Sequence, residues 1–436
     1  MQVTFFGAAS EIGRSCIMLE SPEARILLDA GVKIGEEEEY PLIDDSDLKD
    51  IDAIIISHAH LDHSAYLPHI YTEGYQGDVY ATKPTVELVN ILTSDYLKIS
   101  EPGNVTKEGY NRMQKHYKMV DYHKPFQIKD MEIRLVPAGH ILGSAMIEVK
   151  AGKSKAIYTG DVNLRTTKLL DPAYTECLNA NILITESTYG GDKDVFQPEK
   201  QILTSMTSSI KETISRGGKA IIPSFGVGRA QEVLLILDDY MRSGALPTVP
   251  IYTDGMVNKA MRIHRHNVIY CRDELQKRIL LNDDDPFKSR NFVPVEGIPA
   301  RKKIMGSTES SIIVTTSGML TGGPVLRYLS GMAADEKNKL ILVGYQAEGT
   351  RGRELADGAG KIEIDGRNVD IKLAVEQYRL SAHADRQQLM NLIGKIQGLE
   401  DLFIVHGEPS RQRELGNAVG DICKTHIPAL KDSYNV

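Results

Sequence analysis

The feature that most restricts the fold of this 436-residue chain is a histidine-rich segment directly after the apolar residues 53–56. It reads Ser57-His58-Ala59-His60-Leu61-Asp62-His63. Because residues two apart in an extended chain point the same way, His58 and His60 can converge on one point. Asp62 and His63 can then reach a second point from the turn that follows. Three imidazoles and a carboxylate so close together suit zinc, and the segment therefore predicts a metal site at a strand end.

The cysteines exclude a sulfur-ligated metal site. The four of them lie far apart in the sequence, at Cys16, Cys177, Cys271 and Cys423, and none belongs to a CxxC pair. This spacing is not that of a zinc finger or of a disulfide scaffold, and we expect four buried thiols. Any metal must therefore be held by nitrogen and oxygen ligands.

Other ionisable residues occur where predicted apolar strands end, each with a glycine within two positions. They are Asp29, His140, Asp161 and His406. Each alone could be an ordinary turn residue. Together they predict a site that several strand ends build along one edge of the sheets.

The spacing of apolar residues predicts an α/β protein in three segments. Residues 1–191 contain short strands and a few helices, which favours sheets covered by helices. Residues 192–370 alternate between strands and helices, which predicts a separate α/β domain with a largely parallel sheet. The third segment, residues 371–436, follows the start of a strand expected at 370–376. After that strand we expect a helix from 384, a strand at 401–405 and a final helix from 409.

The net charge of −8 disfavours a polyanionic partner at first sight, but the charge is unevenly distributed. Residues 192–370 contain 25 Lys and Arg against 23 Asp and Glu, so local basic patches there could hold a nucleic acid. The glutamates at 36–39 predict a solvated loop. No apolar run approaches the roughly 20 residues of a membrane span, and the start does not resemble a signal peptide. We therefore expect a cytoplasmic protein without a membrane partner.

The pattern HxHxDH, followed by a later His, Asp and His, resembles the metallo-β-lactamase superfamily. The resemblance implies an αββα sandwich and two Zn²⁺ ions per chain. His58, His60 and His140 would hold the first ion, while Asp62, His63 and His406 would hold the second. Asp161 would bridge both, and Asp29 would orient the histidine loop from behind the ligands.

Further motifs narrow the resemblance to the β-CASP nucleases, in which an α/β domain is inserted into the sandwich. The motifs lie at residues 185–190, 223–231, 316–320, 344–350, 381–385 and 405–408. Residues 7–16 are especially similar to the endonuclease subunit of the cleavage and polyadenylation specificity factor. The chain as a whole most resembles the shorter archaeal homologues of that subunit, which have no KH domains. Residues 192–370 would be the inserted β-CASP domain, and residues 1–191 and 371–436 the two parts of the sandwich.

This resemblance implies a zinc-dependent ribonuclease that cuts single-stranded RNA as an endonuclease, a 5′→3′ exonuclease or both, in 3′-end processing, maturation or decay. A water activated between the metals, with Asp62 in the catalytic group, would attack phosphorus. His383, held in its charged form by Glu186, would protonate the departing 3′-oxygen and leave a 5′-phosphate and a 3′-hydroxyl. Other metallohydrolases would not need the insertion. DNA-directed relatives have an apolar residue where His406 stands, and non-catalytic scaffolds have lost metal ligands.

The inserted domain offers candidate phosphate contacts. A Gly-x-Gly turn precedes Arg229, so the backbone N–H of Gly228 and the guanidinium could both face a phosphate. Ser317, Gly318 and Thr350 are further candidates. The basic run at 301–303 could also bind phosphate, although we expect a solvated loop there. The resemblance makes a homodimer plausible, and we expect the zinc ions and single-stranded RNA to meet in a cleft beside the inserted domain.

Overall fold

The computed structural model describes residues 1–35, 37–99, 105–176 and 178–436. The chain forms two compact units. The first contains residues 1–166, 170–195 and 382–436, and the second contains residues 167–169 and 196–381. The short segment 167–169 belongs to the second unit because the buried carboxylate of Glu232 accepts hydrogen bonds from the backbone of Lys168 at 2.7 Å and Leu169 at 2.9 Å.

The first unit contains two mixed sheets that enclose one apolar core. In spatial order, the strands of one sheet are Ser433–Asn435, Gln2–Phe5, Ile17–Glu20, Arg25–Leu28, Ala53–Ile55, Asp78–Ala81 and Tyr117–Met119. Those of the other are Lys424–His426, Asp401–Ile404, Ile182–Thr185, Ser154–Tyr158, Ala145–Ala151, Met131–Pro137 and Phe126–Ile128. Alternate side chains of most of these strands point into this core, which is the pattern of a β-sandwich.

Helices complete the first unit. They are Leu61–Ser64, Leu67–Thr72, Lys83–Ile99, Lys107–Met113, Arg386–Lys395 and Pro409–Val419, with a 3-10 turn at Asp47–Asp50. Leu392 of the first of the two C-terminal helices and Leu415 of the second pack with Leu183 and Leu402 on the outer face of the second sheet. This layer gives the helix-on-sheet cover that the sequence predicts.

The positions of the polar residues follow from parallel pairing. Arg25–Leu28 pairs in parallel with Ala53–Ile55, and Ile182–Thr185 pairs in parallel with both Ser154–Tyr158 and Asp401–Ile404. Parallel neighbours end at the same edge of a sheet. The residues that follow these strands, among them Asp29, His58, Asp161, Glu186 and His406, are therefore brought to one edge of the sandwich.

The second unit is built on a parallel sheet. Its strands, in spatial order, are Phe292–Pro294, Ile251–Thr253, Ser311–Thr315, Lys219–Pro223, Lys339–Leu342 and Ala374–Gln377, and a separate hairpin is formed by Lys361–Ile364 and Arg367–Asp370. Its helices are Glu199–Ser215, Arg229–Arg242, Val257–His266, Asp273–Leu281, Gly297–Gly306, Pro324–Met332 and Arg351–Ala356, with 3-10 turns at Val268–Tyr270 and Pro286–Lys288. Apolar cores lie on both faces of this sheet.

The predicted fold class is confirmed, whereas several boundaries differ. The strand expected at 370–376 is two elements, because the hairpin strand Arg367–Asp370 ends before Ala374–Gln377 begins. Ala374–Gln377 pairs with Lys339–Leu342, so the second unit continues to residue 381 rather than ending at 370. The helix expected from residue 384 begins at Arg386, after Asp385 caps it through a hydrogen bond from the backbone of Gln388.

The cysteines are not all buried. Cys16 and Cys271 are buried thiols, whereas Cys423 is partly exposed. Cys177, and Glu36 of the predicted glutamate loop, lie outside the described residues. Within the part of the chain that is described, no helix has both the length and the apolar character that crossing a bilayer requires.

Candidate metal centre

Three imidazoles face one another where the predicted first ion would lie. The Nδ1 atom of His60 is 3.2 Å from Nε2 of His58 and 3.1 Å from Nε2 of His140. An oxygen of Asp161 completes the group, at 3.4 Å from His58 Nε2 and 3.6 Å from His140 Nε2. These four residues form one set whose ligand atoms could hold a single ion.

Neighbouring groups determine which nitrogen of each ring carries the proton. His140 Nδ1 lies 2.8 Å from the carbonyl oxygen of Ala382, which can only accept, so this nitrogen donates. The hydroxyl of Ser57 donates to Asp29 and lies 3.1 Å from Nδ1 of His58, which therefore donates to that hydroxyl. Nε2 of His58 and of His140 is thus left with its lone pair directed at the shared point.

Burial keeps these imidazoles neutral. Desolvation, followed by repulsion from His63, His140 and His60, holds the pKa of His58 well below its usual range, against the opposing effect of Asp161. Desolvation and the nearby His383 lower the pKa of His140 in the same way. Neutral imidazoles are the form that binds a metal.

A second set of ligand atoms lies beside the first. Nε2 of His406 is 3.3 Å from an oxygen of Asp62, and Nε2 of His63 is 4.0 Å from the same oxygen. Both Asp62 and His63 belong to the helix Leu61–Ser64. Although burial opposes ionisation, the charges of His63 and His406 hold the pKa of Asp62 below its usual range, so the carboxylate stays anionic.

Asp161 joins the two sets. Its Oδ2 atom faces His58 and His140, while its Oδ1 atom lies 3.4 Å from His63 Nε2 and 3.4 Å from His406 Nδ1. Oδ1 is buried, and no donor among the described residues meets it in good hydrogen-bond geometry, although the imidazole of His63 interacts with it electrostatically. A buried carboxylate oxygen without a hydrogen-bond donor is costly, and a cation is the partner that would satisfy it.

The ligand sets fit zinc. In a tetrahedral site with Zn–N bonds of about 2.0–2.1 Å, ligand nitrogens lie about 3.3–3.4 Å apart. The spacings of 3.1 and 3.2 Å around His60 are close to that value. Nitrogen and carboxylate ligands also match the preference of zinc. The residues present are therefore compatible with two ions that share Asp161.

Asp29 lies behind the ligands and is fully buried. Its Oδ1 accepts a hydrogen bond from the backbone of Ser57 at 2.7 Å, and its Oδ2 accepts from the Ser57 hydroxyl at 2.7 Å, the Tyr158 hydroxyl at 2.8 Å and His63 Nδ1 at 2.7 Å. Because His63 bonds to Asp29 through Nδ1, its Nε2 atom faces the second ligand set. The backbone of Asp62 packs closely against Gly31. Only glycine fits there, because a Cβ at position 31 would lie 1.7 Å from the carbonyl oxygen of Asp62.

Tyr158 is a supporting residue that the sequence analysis did not identify. It lies three positions before Asp161 and is the last residue of the strand Ser154–Tyr158. Its side chain points into the core. The hydroxyl of a buried tyrosine usually has a hydrogen-bond partner. This general rule could have indicated that Tyr158 contacts a polar residue near the site.

We expect Tyr158→Phe to weaken zinc binding. Loss of such a supporting hydrogen bond typically lowers metal affinity ten- to a hundredfold, and we expect about tenfold because Asp29 keeps its other donors. Competition with a chromogenic chelator would measure the affinity. Tyr80→Phe is the matched control, since the Tyr80 ring stacks on Phe126 and not on this network. Equal affinities for the two variants would contradict a supporting role for Tyr158.

His383 and Glu186 lie next to the two ligand sets. Nδ1 of His383 is 2.9 Å from both carboxylate oxygens of Glu186. Its Nε2 is 4.0 Å from Asp161, and its ring lies 4.5 Å from that of His140. Burial lowers the pKa of His383, but the carboxylates of Glu186 and Asp161 outweigh it and raise the value to about 9. His383 is therefore charged at neutral pH and can give up a proton.

The predicted phosphate contacts all lie in the second unit, after strands of the parallel sheet. Gly228 has φ = +81° and precedes the helix Arg229–Arg242. Its N–H is not open to a phosphate, because it donates to the Gln231 side chain at 2.8 Å. The N–H of Arg229 likewise donates to Val227 O, and its side chain is buried beside Glu232. The two backbone N–H groups at this helix start are therefore engaged within the chain, and phosphate binding by Gly228 and Arg229 stays a prediction.

The other predicted contacts are engaged within their own loops. The Ser317 hydroxyl lies 3.1 Å from the Thr321 hydroxyl and accepts from the backbone of Gly322. Gly318 packs against the backbone of Phe225, and its carbonyl accepts from Gln346. The hydroxyl of Thr350 donates to Ala347 O and caps the short helix Arg351–Ala356. These bonds hold the loops together, and a role in binding RNA stays a prediction.

Three domain families match consecutive parts of the chain. Residues 18–186 match the metallo-beta-lactamase superfamily domain, residues 230–355 match the Beta-Casp domain, and residues 368–425 match the Zn-dependent metallo-hydrolase RNA specificity domain.

Curated relatives match over most of their own length. The transcription termination factor FttA of Methanocaldococcus jannaschii is 37% identical over 455 residues, which include 100% of this chain and 72% of the relative. An RNase J-like protein of the same organism is 38% identical, with 93% of this chain and 92% of the relative covered. A protein of unknown function from Enterococcus faecalis has a similar fold, with a TM-score of 0.62 over 99% of both chains at 15% identity.

Proposed function

The chain belongs to the β-CASP family of metallo-β-lactamase-fold nucleases, of the archaeal type related to the cleavage and polyadenylation specificity factor. From this premise we propose that it is a zinc-dependent ribonuclease that hydrolyses phosphodiester bonds of single-stranded RNA. The observation that carries the proposal is the pair of ligand sets joined by Asp161, with the His383–Glu186 pair beside them. A metal pair next to a protonated acid can activate the attacking water and protonate the departing oxygen in phosphodiester hydrolysis.

In this proposal His58, His60 and His140 would hold one zinc ion, Asp62, His63 and His406 would hold the other, and Asp161 would contribute a ligand to both. When bound, the two ions lower the pKa of water and neutralise charge on the phosphate. Asp29 accepts the hydrogen bond of His63 Nδ1, so a metal that displaces the proton on Nε2 would leave His63 in the neutral form that binds metal. His383 donates its proton to the departing 3′-oxygen, and Glu186 stabilises the charged imidazole until that transfer. The products are a 5′-phosphate and a 3′-hydroxyl.

Two observations support RNA as the substrate. Residues 368–425 match the RNA specificity domain, and the relatives are described as a transcription termination factor and an RNase J-like protein. His406 belongs to the second ligand set, whereas the DNA-directed members that this chain resembles have an apolar residue there. A non-catalytic scaffold is disfavoured because every predicted ligand lies within its set. Function as a homodimer stays a prediction.

The zinc content tests the metal part of the proposal. We expect about two equivalents per chain, one for each ligand set, after purification with zinc. Elemental analysis would measure this, and less than one equivalent would contradict the paired site. Chelation should abolish cleavage, and added zinc should restore it.

The substrate and the cutting mode are tested together. The zinc-loaded protein is incubated with a circular single-stranded RNA, the same RNA in linear form with a 5′ label, and both matching DNAs. We expect cleavage of RNA in preference to DNA. Opening of the circle would establish endonuclease action, and release of labelled nucleotides from the linear RNA alone would establish 5′→3′ digestion. Preferential cleavage of DNA, or of neither nucleic acid, would contradict the proposal.

A further inference from the structure

The helix Val257–His266 of the second unit has an unusual charge distribution. It contains Lys259, Arg262 and Arg265 together with two histidines, and it contains no acidic residue. Lys259, Arg262 and His266 are exposed and are spaced by three and then four residues. Residues at this spacing lie on one face of a helix, so these three side chains form one basic stripe.

The basic stripe is not neutralised by the protein. Arg265, which lies off the stripe, pairs with Asp285 at 2.5 Å. In contrast, Lys259, Arg262 and His266 form no ion pair or side-chain hydrogen bond with any residue that the structure describes. Some exposed arginines of this unit do have an acidic partner, for example Arg242 with Asp284 and Arg353 with Asp357. The stripe thus remains available for an external anion.

A second helix of the same unit has the same composition. The basic run at 301–303, expected to be a loop, lies in the helix Gly297–Gly306, which also contains no acidic residue. Arg301 is used internally, because it forms a two-point ion pair with the buried Asp254 at 2.7 and 2.9 Å. Asp254 precedes the helix Val257–His266 by three residues, so the pair ties the two helices together. Lys302 and Lys303 remain exposed.

We propose that the basic stripe binds the sugar-phosphate backbone of single-stranded RNA, outside the metal centre. The inference rests on the proposed function, since it assigns a binding surface to the same substrate. An acidic protein with a net charge of −8 repels RNA on average, and the two neighbouring uncompensated cations Lys259 and Arg262 would oppose that repulsion locally. Contacts of this kind are sequence-independent and position the strand.

The test is the salt dependence of RNA binding. Each phosphate neutralised on a single strand contributes about −0.7 to the slope of log K against log salt concentration. We therefore expect the double variant Lys259→Ala/Arg262→Ala to make that slope shallower by about 1.4 and to weaken binding. Fluorescence anisotropy with a labelled, unstructured RNA would measure it across a KCl series. All proteins carry His383→Asn as a background that slows cleavage.

Lys200→Ala/Lys211→Ala is the matched control. Both lysines are exposed on the helix Glu199–Ser215 of the same unit, and this double variant also removes two positive charges. Its slope should equal that of the background protein. Equal slopes for all three proteins, or equal losses in the two double variants, would overturn the inference and leave the proposed function intact. Absence of RNA binding by the background protein would instead overturn the proposed function.

Discussion

Replacing Asp161 with asparagine should release zinc and reduce RNA cleavage by more than about a hundredfold, because loss of even a supporting residue costs ten- to a hundredfold in affinity. Asp161 directs one oxygen at each ligand set, and both sets lose an anionic ligand in this variant. Asparagine has nearly the same shape, so the loss reports on charge and coordination. Zinc per chain and the cleavage rate would both be measured on the purified variant.

Asp238→Asn is the control for this experiment. Asp238 is a buried aspartate of the second unit, and burial raises its pKa. The same chemical change there should leave zinc content and cleavage at the parent level, since a neutral side chain is not disfavoured at that position. If Asp161→Asn kept two equivalents of zinc with the parent affinity, Asp161 would not be a shared ligand.

The candidate metal centre could be predicted from the sequence because many of its residues lie within one short segment or at strand ends. His58, His60, Asp62 and His63 fall within six residues, and the alternation of an extended chain already brings His58 and His60 together. Asp161 and His406 each follow an apolar strand next to a glycine. Parallel pairing of Ser154–Tyr158 with Ile182–Thr185, and of the latter with Asp401–Ile404, then places both at one edge.

Two kinds of structural detail could not be predicted. One depends on contacts between residues far apart in the sequence, and the other on side chains that form hydrogen bonds with the nearby backbone. The strand Ser433–Asn435 is short and polar, and it exists because it pairs with Gln2–Phe5 at the other end of the chain. The side chain of Gln231, in the first turn of the helix, accepts a hydrogen bond from the N–H of Gly228. A Gln at the third helical position is a known capping signal, so this internal hydrogen bond could have been anticipated.

Replacing His383 with asparagine should leave zinc content unchanged and slow the chemical step by about 10²–10⁴-fold, the usual contribution of a general acid. Asparagine can still contact Glu186, but it has no proton to give at neutral pH. His383 belongs to neither ligand set, and its Nε2 is 4.0 Å from the nearer oxygen of Asp161, so the metal sets remain complete. Single-turnover cleavage would separate the chemical step from product release. His123→Asn, the same change at an exposed histidine, should keep the parent rate.

The double variant Glu186→Gln/His383→Asn tests whether the two residues act as a pair. Glu186 accepts from His383 and from the backbone of Val162, and it raises the pKa of the imidazole. Glu186→Gln alone should therefore slow cleavage less than His383→Asn does, because the imidazole remains. Residues that act as a unit have non-additive effects, so the double variant should be about as slow as His383→Asn alone. Loss of zinc in Glu186→Gln would instead identify this carboxylate as a metal ligand, since it also lies beside Asp161 and His406. If the double variant kept its zinc and its loss of cleavage rate equalled the product of the two single losses, Glu186 would act independently of His383.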